Sequence, residues 1–319
     1  MNAIVVRQHG GPEVLEWLET PDPVPGAGEV LVRTTLTGLN FADLQSRRGG
    51  YDAGGALPFT PGLDVVGIVE AVGEGVSLPI GQRVVAFAAA GSYAEKVLAK
   101  AVLTYPIPDA LSDEQVSGLT ALVTAYNLLH WAARVQRGET VLIHAAAGGV
   151  GGLAVQMAKA FGARVMGTAG TEDKLEYIRS LGADHAFTYE GFPQKVLQVA
   201  KAGADVILDS LSGETFNLGL TCLAPFGRMV VYGHAGGEAG TFDTRPLHRQ
   251  TKAVIGYSSG HYRRSRPELL RPTVEAVFGL LERGEVRLEV GARFKLSEAA
   301  QAHALMENRQ SRGKLLLYP

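Results

Sequence analysis

One cysteine, Cys222, stands in a chain of 319 residues, so neither a disulfide nor a cysteine-based zinc centre can form within a single copy. No stretch approaches the ~18 consecutive apolar residues that a membrane span needs. The first residues, MNAIVVRQHGG, read as a short strand and turn, not as a charged and then apolar leader. The expectation is a cytoplasmic protein that stays out of the membrane. An excess of one charge is missing as well: 30 Lys and Arg against 32 Asp and Glu leave a net charge of −2, without the basic stripe by which nucleic acid is held. With 46% hydrophobic and 19% charged residues, the composition is that of an ordinary globular chain. It is too long for one core, so two domains are expected.

What is present centres on residues 139–174, ETVLIHAAAGGVGGLAVQMAKAFGARVMGTAGTEDK. The pattern predicts a βαβ unit: a strand from Thr140 to His144, apolar on consecutive positions as in a parallel strand buried on both faces, a turn of small residues, a helix from Val150 to Phe161 and a second strand from Arg164 to Gly167. Ala146, Gly148 and Gly151 fall on the three small positions of the GxGxxG dinucleotide fingerprint. The first permits the tight turn, the second lets backbone approach a pyrophosphate, and the third lets the helix pack on the sheet. The unpaired N–H groups at the helix start favour the anion. Small residues also serve any tight strand-to-helix turn, but the flanking strand, helix and second strand at the right distances favour the nucleotide reading.

The missing acid at the end of the second strand selects the nucleotide. An NAD site places Asp or Glu there for the ribose 2′-hydroxyl, whereas residues 167–171 read GTAGT, with Ala169 at the acid's position and Glu172 the first carboxylate. A carboxylate repels a 2′-phosphate. Its absence, with Lys174 close behind, points to NADPH. Tyr189, after a short strand from Ala186 to Thr188, either adds a hydroxyl contact to that phosphate or is a surface ring.

Before this unit the chain is β-rich, with short β-branched segments at 3–7, 14–18, 29–37, 65–72 and 82–86 separated by Gly and Pro clusters, a spacing that suggests a partly closed barrel. NFADLQSRR interrupts it with a short helix, and GGYDAGGALPFTPG follows as a glycine-rich loop of the kind that borders a cleft. Ser112 and Gln115 form a capping box that opens a helical stretch leading into the second domain. After the fingerprint, strands and helices alternate with short loops, the mark of a doubly wound parallel sheet. Gly233 and His234 follow one of its strands, at the end where such folds bind ligands. Residues 252–259, KAVIGYSS, read as the last, edge strand, and Arg263, Arg264 and Arg266 as a solvated turn. The tail from Pro267 returns to the barrel. The expected architecture is α/β, with a barrel domain of residues 1–122 and 266–319 and a nucleotide-binding domain of residues 123–265.

The segments GLNFADL (38–44), PGLDVVGIVEAVGEGV (61–76), GSYAEKV (91–97), GLTALVTAYNLL (118–129), HAAAGGVG (144–151) and GKLLL (313–317) together resemble the medium-chain dehydrogenase/reductase superfamily, in its zinc-free quinone oxidoreductase (zeta-crystallin-like) branch. The resemblance runs from end to end. It implies a GroES-like catalytic domain, a Rossmann domain and a cleft between them. Together with the fingerprint and charge readings above, it gives as the residues expected at an NADPH cofactor Asn40, Thr124 (which a helix Thr bonding its own turn would explain as well), the turn residues Ala146, Gly148, Gly149, Val150 and Gly151, then Gly170, Lys174, Tyr189, Gly233 and Lys314. Alcohol dehydrogenases of the superfamily carry a zinc-binding Cys where Asn40 stands. With Asn40 and Asp64 where ligation would begin, no metal is expected. Without a Lewis acid, an electron-poor quinone or enone is a better hydride acceptor than an alcohol is a donor. Asn40 and Tyr51 are the expected catalytic residues: Asn40 to bond a carbonyl oxygen, Tyr51 either to protonate it or to form an aromatic wall. A family tyrosine expected near Gln45 is missing, which leaves the substrate open. Enoyl-thioester reduction is the alternative activity. A structural or RNA-binding role, also found among relatives, lacks its basic footprint here. Relatives pair through the edge of the Rossmann sheet, so the resemblance implies a homodimer.

The cofactor assignment has a direct consequence. Lys174→Ala is expected to weaken NADPH binding by roughly ten-fold or more, about 1.5–3 kcal/mol for a charge-assisted hydrogen bond, and to leave NADH nearly unchanged. Fluorescence titration of both cofactors measures this; equal losses for the two would remove Lys174 from the 2′-phosphate.

Overall fold

A computed structural model describes residues 1–50, 56–89 and 91–319. Its strands, in chain order, are β1 (Asn2–Val5), β2 (Glu16–Glu19), β3 (Glu29–Leu39), β4 (Asp64–Val72), β5 (Arg83–Ala88), β6 (Lys96–Pro106), β7 (Thr140–Ile143), β8 (Arg164–Ala169), β9 (His185–Thr188), β10 (Ala204–Asp209), β11 (Leu223–Val231), β12 (Ala253–Gly256), β13 (Val290–Lys295) and β14 (Lys314–Tyr318). The backbone forms two compact units. The first comprises Met1–Val123, Gly260–Gly284 and Leu288–Pro319, and the second Thr124–Ser259 with Glu285–Arg287. No helix among the described residues is long and apolar enough to cross a membrane.

In the first unit the strand order is β13-β14-β3-β4-β5-β6, and β6 also pairs back on β3, so four strands close on themselves while β14 and β13 extend past them. The closed part is filled by small, mostly β-branched side chains, among them Val30, Val32, Val65, Val69, Val84 and Val97, which suit the tight interior of a four-strand ring. The antiparallel pairing of β14 with β3 opposes Leu315 to Leu39, Leu316 to Gly38 and Leu317 to Thr37. A second core joins Leu39, Leu44 and Tyr93 to Leu315, Leu317 and the helix Ala299–Glu307. Of the segment 263–266, Arg264 and Arg266 are exposed as expected, and Arg263 departs from the solvated turn. Arg263 lies in the helix Ser259–Ser265 with its guanidinium 5.0 Å from the centre of the Phe87 ring and Nη1 donating to Thr120 Oγ1 at 3.3 Å. A flat, weakly hydrated cation gains from stacking on an aromatic face, which a count of charges does not reveal.

The second unit holds a six-strand sheet of order β12-β11-β10-β7-β8-β9, parallel throughout. β7 is buried at every position, as both-face coverage requires. The chain runs outward from β7 through β8 to β9, then crosses to β10 and runs outward the other way to β12, which is an edge. The strand order therefore reverses between β7 and β10, and their carboxyl ends open the crevice where ligands of such sheets bind.

Each unit buries one neutral histidine. His144, at the end of β7, and His303, in the helix Ala299–Glu307, are both 0% exposed, and burial lowers each pKa to about 3, with the Arg47 and Arg48 charges adding to the effect at His303. Between that value and the ordinary 6.5 the unfolded chain binds a proton that the folded one refuses, so stability is intact at pH 7.5 and falls as pH drops below ~6.5. At pH 5 the loss is about 2 kcal/mol per histidine. Because buried Asp43, raised to about 7, contributes with the opposite sign over the same range, the histidine contribution is read as a difference between proteins. Urea unfolding at pH 7.5 and pH 5 is expected to show a less unfavourable change for His144→Leu than for the wild type, and an unchanged difference in that variant would contradict the assignment.

Candidate active site

In the second unit the fingerprint turn leaves β7 and enters the helix Gly149–Ala160. Ala145 takes a left-handed conformation at φ 52°, the Ala146 N–H donates to Thr168 O at 2.9 Å, and the Gly148 N–H to Ala145 O at 2.9 Å. Gly151 is required where it stands, since a Cβ there would run into the Ala145 carbonyl oxygen. Gly148 is the N-cap residue and no side chain caps the helix, so the N–H groups of Gly149, Val150 and Gly151 remain for an anion. This donor set suits a dinucleotide pyrophosphate.

Tyr189 comes to the same turn: its hydroxyl oxygen accepts from the Ala145 N–H at 2.9 Å. Beneath it His144 Nδ1 lies 2.8 Å from Thr168 Oγ1, with the Phe192 ring edge-on at 5.0 Å. Ala169 is buried at 3%, so the exposed residue at the tip of β8 is Gly170. Lys174 ends the short 3-10 turn Glu172–Lys174 and is half-buried. Gly233 follows β11 beside Ser210, where a Cβ would meet Ser210 O at 3.0 Å. Asp209 closes β10 with Oδ1 accepting from the Leu211 and Ser212 N–H groups at 2.8 and 3.1 Å. That carboxylate, which sequence reasoning passed over, shapes the loop opposite the fingerprint turn across the strand-order reversal. Thr124 is buried in the helix Leu119–Asn127.

In the first unit Asn40 precedes the helix Phe41–Arg47. An Asn at such a position ordinarily caps the helix with its side chain. Here it does not. The cap is made by the Asp43 carboxylate, whose Oδ2 accepts from the Asn40 backbone N–H at 2.8 Å. The Asn40 amide turns instead to Gly38 O, to which Nδ2 donates at 3.0 Å, and to Lys314 Nζ, which donates to Oδ1 at 2.7 Å. Lys314 stands one step beyond the Leu315–Leu39 pair, so the β3–β14 register carries it to Asn40 across 274 positions of sequence. Its stem fits because residue 38 is glycine; a Cβ there would lie 2.5 Å from Lys314 Cε.

Around this pair runs a buried polar chain with a fixed direction. Arg47 Nη1 donates to His303 Nδ1 at 3.3 Å, which leaves the proton on Nε2; that group, 3.2 Å away, donates to the Tyr93 hydroxyl, and Tyr93 donates to Asp43 Oδ2 at 3.0 Å. Arg47 is itself fully buried and pairs with Glu307. Burial pushes the Asp43 pKa up to about 7, against the pull of the Asn40 N–H and the Lys314 charge; burial likewise raises Tyr93 and lowers Lys314, which the Asp64 and Asp43 charges partly restore. Asp64 accepts from the Thr120 N–H at 2.6 Å through Oδ2, while its Oδ1 has no hydrogen-bond partner among the described residues. Asp43 was legible as the third residue after an N-cap; nothing local marks Tyr93 or His303. Tyr51 lies outside the described residues.

Known families match both units. The alcohol dehydrogenase GroES-like domain matches residues 26–109 and the zinc-binding dehydrogenase family residues 149–275. The chain is 37% identical to a quinone oxidoreductase of Pseudomonas aeruginosa over 98% of this chain and 97% of that one, and 34% identical to a 2-haloacrylate reductase of Burkholderia over 99% and 98%. It superposes on an Escherichia coli quinone oxidoreductase solved in complex with NADPH with a TM-score of 0.94, at 31% identity and full coverage of both chains. The zinc of the second family's name does not fit the residues present. The amide oxygen of Asn40 is taken by an ammonium, and that cation, held near Asp64 and Asp43, repels a second one. With a GroES-like unit, an NAD(P)-binding Rossmann unit and relatives matched over the whole length, the chain belongs to the medium-chain dehydrogenase/reductase superfamily, as an oxidoreductase of its quinone oxidoreductase branch.

Proposed function

We propose that the protein is an NADPH-dependent reductase of quinones and other α,β-unsaturated carbonyl compounds. The acceptor gains a hydride at a conjugated carbon and a proton at oxygen, giving an enol; in a quinone the ring carbon that took the hydride then loses a proton and the second carbonyl oxygen gains one, completing the hydroquinone as NADPH becomes NADP⁺. The hydride is the chemistry that bound NADPH supplies. The observation that carries the reading is the Asn40 amide. Of its two Nδ2 hydrogens one goes to Gly38 O, and the other has no acceptor among the described residues. Asn40 is 9% exposed while Asp43 and Asp64 are each 1% and Tyr93 is 0%, so it is the member of this polar group that can meet a ligand. A fixed N–H donor suits the carbonyl oxygen on which negative charge grows as a conjugated acceptor is reduced. The relatives' names agree with this chemistry, since quinones and 2-haloacrylates are both electron-poor conjugated alkenes.

For the cofactor, the open N–H groups of Gly149, Val150 and Gly151 would hold the pyrophosphate. The absence of a carboxylate from residues 167–171 and the position of Lys174 just beyond favour a 2′-phosphate. Tyr189 would act on the pyrophosphate by fixing the turn through Ala145.

An NADPH-oxidation assay across quinones, enones and enoyl thioesters tests the reading. Quinone or enone turnover is expected, and Asn40→Ala is expected to lower kcat by roughly 10²-fold, the usual cost of one oxyanion donor. Turnover confined to enoyl thioesters would give the activity to the neighbouring class, and none with any acceptor would contradict the proposal.

A further inference from the structure

Lys314 is 3% exposed, and its ammonium is the buried cation bonded to the side chain that the proposed reaction uses. We propose that Lys314 is a positioning residue for reduction, an internal positive charge that orients and polarises the Asn40 amide, and that it makes no contact with the cofactor. The inference rests on the proposed reductase reading and on three observations.

First, the geometry is built for this pair. Nζ donates to Asn40 Oδ1 at 2.7 Å while Asn40 Nδ2 donates to Gly38 O at 3.0 Å. The amide is therefore pinned at both ends, and the direction of its remaining hydrogen is fixed. A bond from an ammonium to the amide oxygen also draws electron density from the nitrogen, which makes the remaining N–H a stronger donor.

Second, room has been kept for the ammonium. Gly38 has no side chain where a Cβ would press on Lys314 Cε at 2.5 Å and on Ser117 O at 2.5 Å. Any other residue there would move the stem.

Third, the charge is held without being cancelled. Asp64 and Asp43 both act on Lys314 electrostatically, yet the hydrogen bonds of each carboxylate go elsewhere. Asp43 accepts from the Asn40 N–H and Tyr93, and Asp64 from the Thr120 N–H. The direct partner of the ammonium is the neutral amide. A fixed cation behind the donor stabilises negative charge growing on an acceptor oxygen, and a low-dielectric surrounding makes that effect larger than it is in water.

The test uses Lys314→Gln, which can keep a hydrogen bond to Asn40 but loses the charge, and Lys314→Arg, which keeps the charge. Steady-state reduction of a quinone or enone accepted by the wild type is measured beside NADPH binding by fluorescence titration. Lys314→Gln is expected to lower kcat by roughly ten-fold or more while the NADPH dissociation constant stays within about two-fold, and Lys314→Arg is expected to recover much of the loss. Should Lys314→Gln not fold, Lys314→Arg alone decides, with turnover kept and NADPH affinity unchanged as the supporting result. Weaker NADPH binding with kcat unchanged, in either variant, would place Lys314 against the cofactor and overturn the inference. Full kcat in a folded Lys314→Gln would overturn it as well. Absence of quinone and enone turnover by the wild type would instead remove the functional reading, and this inference with it.

Discussion

An ammonium taken out of water costs several kcal/mol unless its surroundings replace the lost hydration, and this requirement organises the first unit around Lys314. The ammonium needs an acceptor, which is Asn40 Oδ1, and compensating charge, which Asp64 and Asp43 supply. Asp43 in turn must satisfy its own buried Oδ2. It does so by taking over the helix cap from Asn40 and by receiving Tyr93, whose hydroxyl is held by His303, whose ring is held by Arg47. Each member is in place because the one before it would otherwise be an unsatisfied buried polar group. The outcome is an asparagine freed from capping, with one N–H that has no acceptor among the described residues. A chain of this kind tolerates little substitution, since removing one member leaves the next unpaired at full cost.

The second unit meets a different constraint with backbone alone. A dinucleotide turn must bring N–H groups together without a side chain in the way. It does this with Ala145 at positive φ, Gly148 at the cap and Gly151 against Ala145. The left-handed alanine is a strained choice. It is held by the Tyr189 hydroxyl on its N–H and by the Ala146 N–H on Thr168 O. Tyr189 therefore acts on this turn through the backbone.

The two units were not equally legible in sequence. The parallel sheet and its turn could be read because their signals are local: consecutive apolar residues in β7, small residues at fixed spacing, and a helix start immediately after. Asn40 stood out because it begins a helix and takes the place of a family cysteine. Its pairing with Lys314 did not. From sequence Lys314 is expected at the cofactor, and only the β3–β14 register reveals that it faces Asn40. Tyr93 and His303 are separated by 210 positions, and no periodicity links them. Arg263 misled for a related reason, because three arginines in four positions suggest a solvated turn until Phe87 is seen beneath one of them.

The pairing of Lys314 with Asn40 is tested most directly by a double-mutant cycle on kcat/KM for the acceptor, with Asn40→Ala, Lys314→Gln and the double variant. If the lysine acts through the amide, its removal has little further effect once the amide is gone, and the coupling energy approaches the whole effect of Lys314→Gln. Additive losses would show that the lysine acts on its own, and the account of this site would then be wrong.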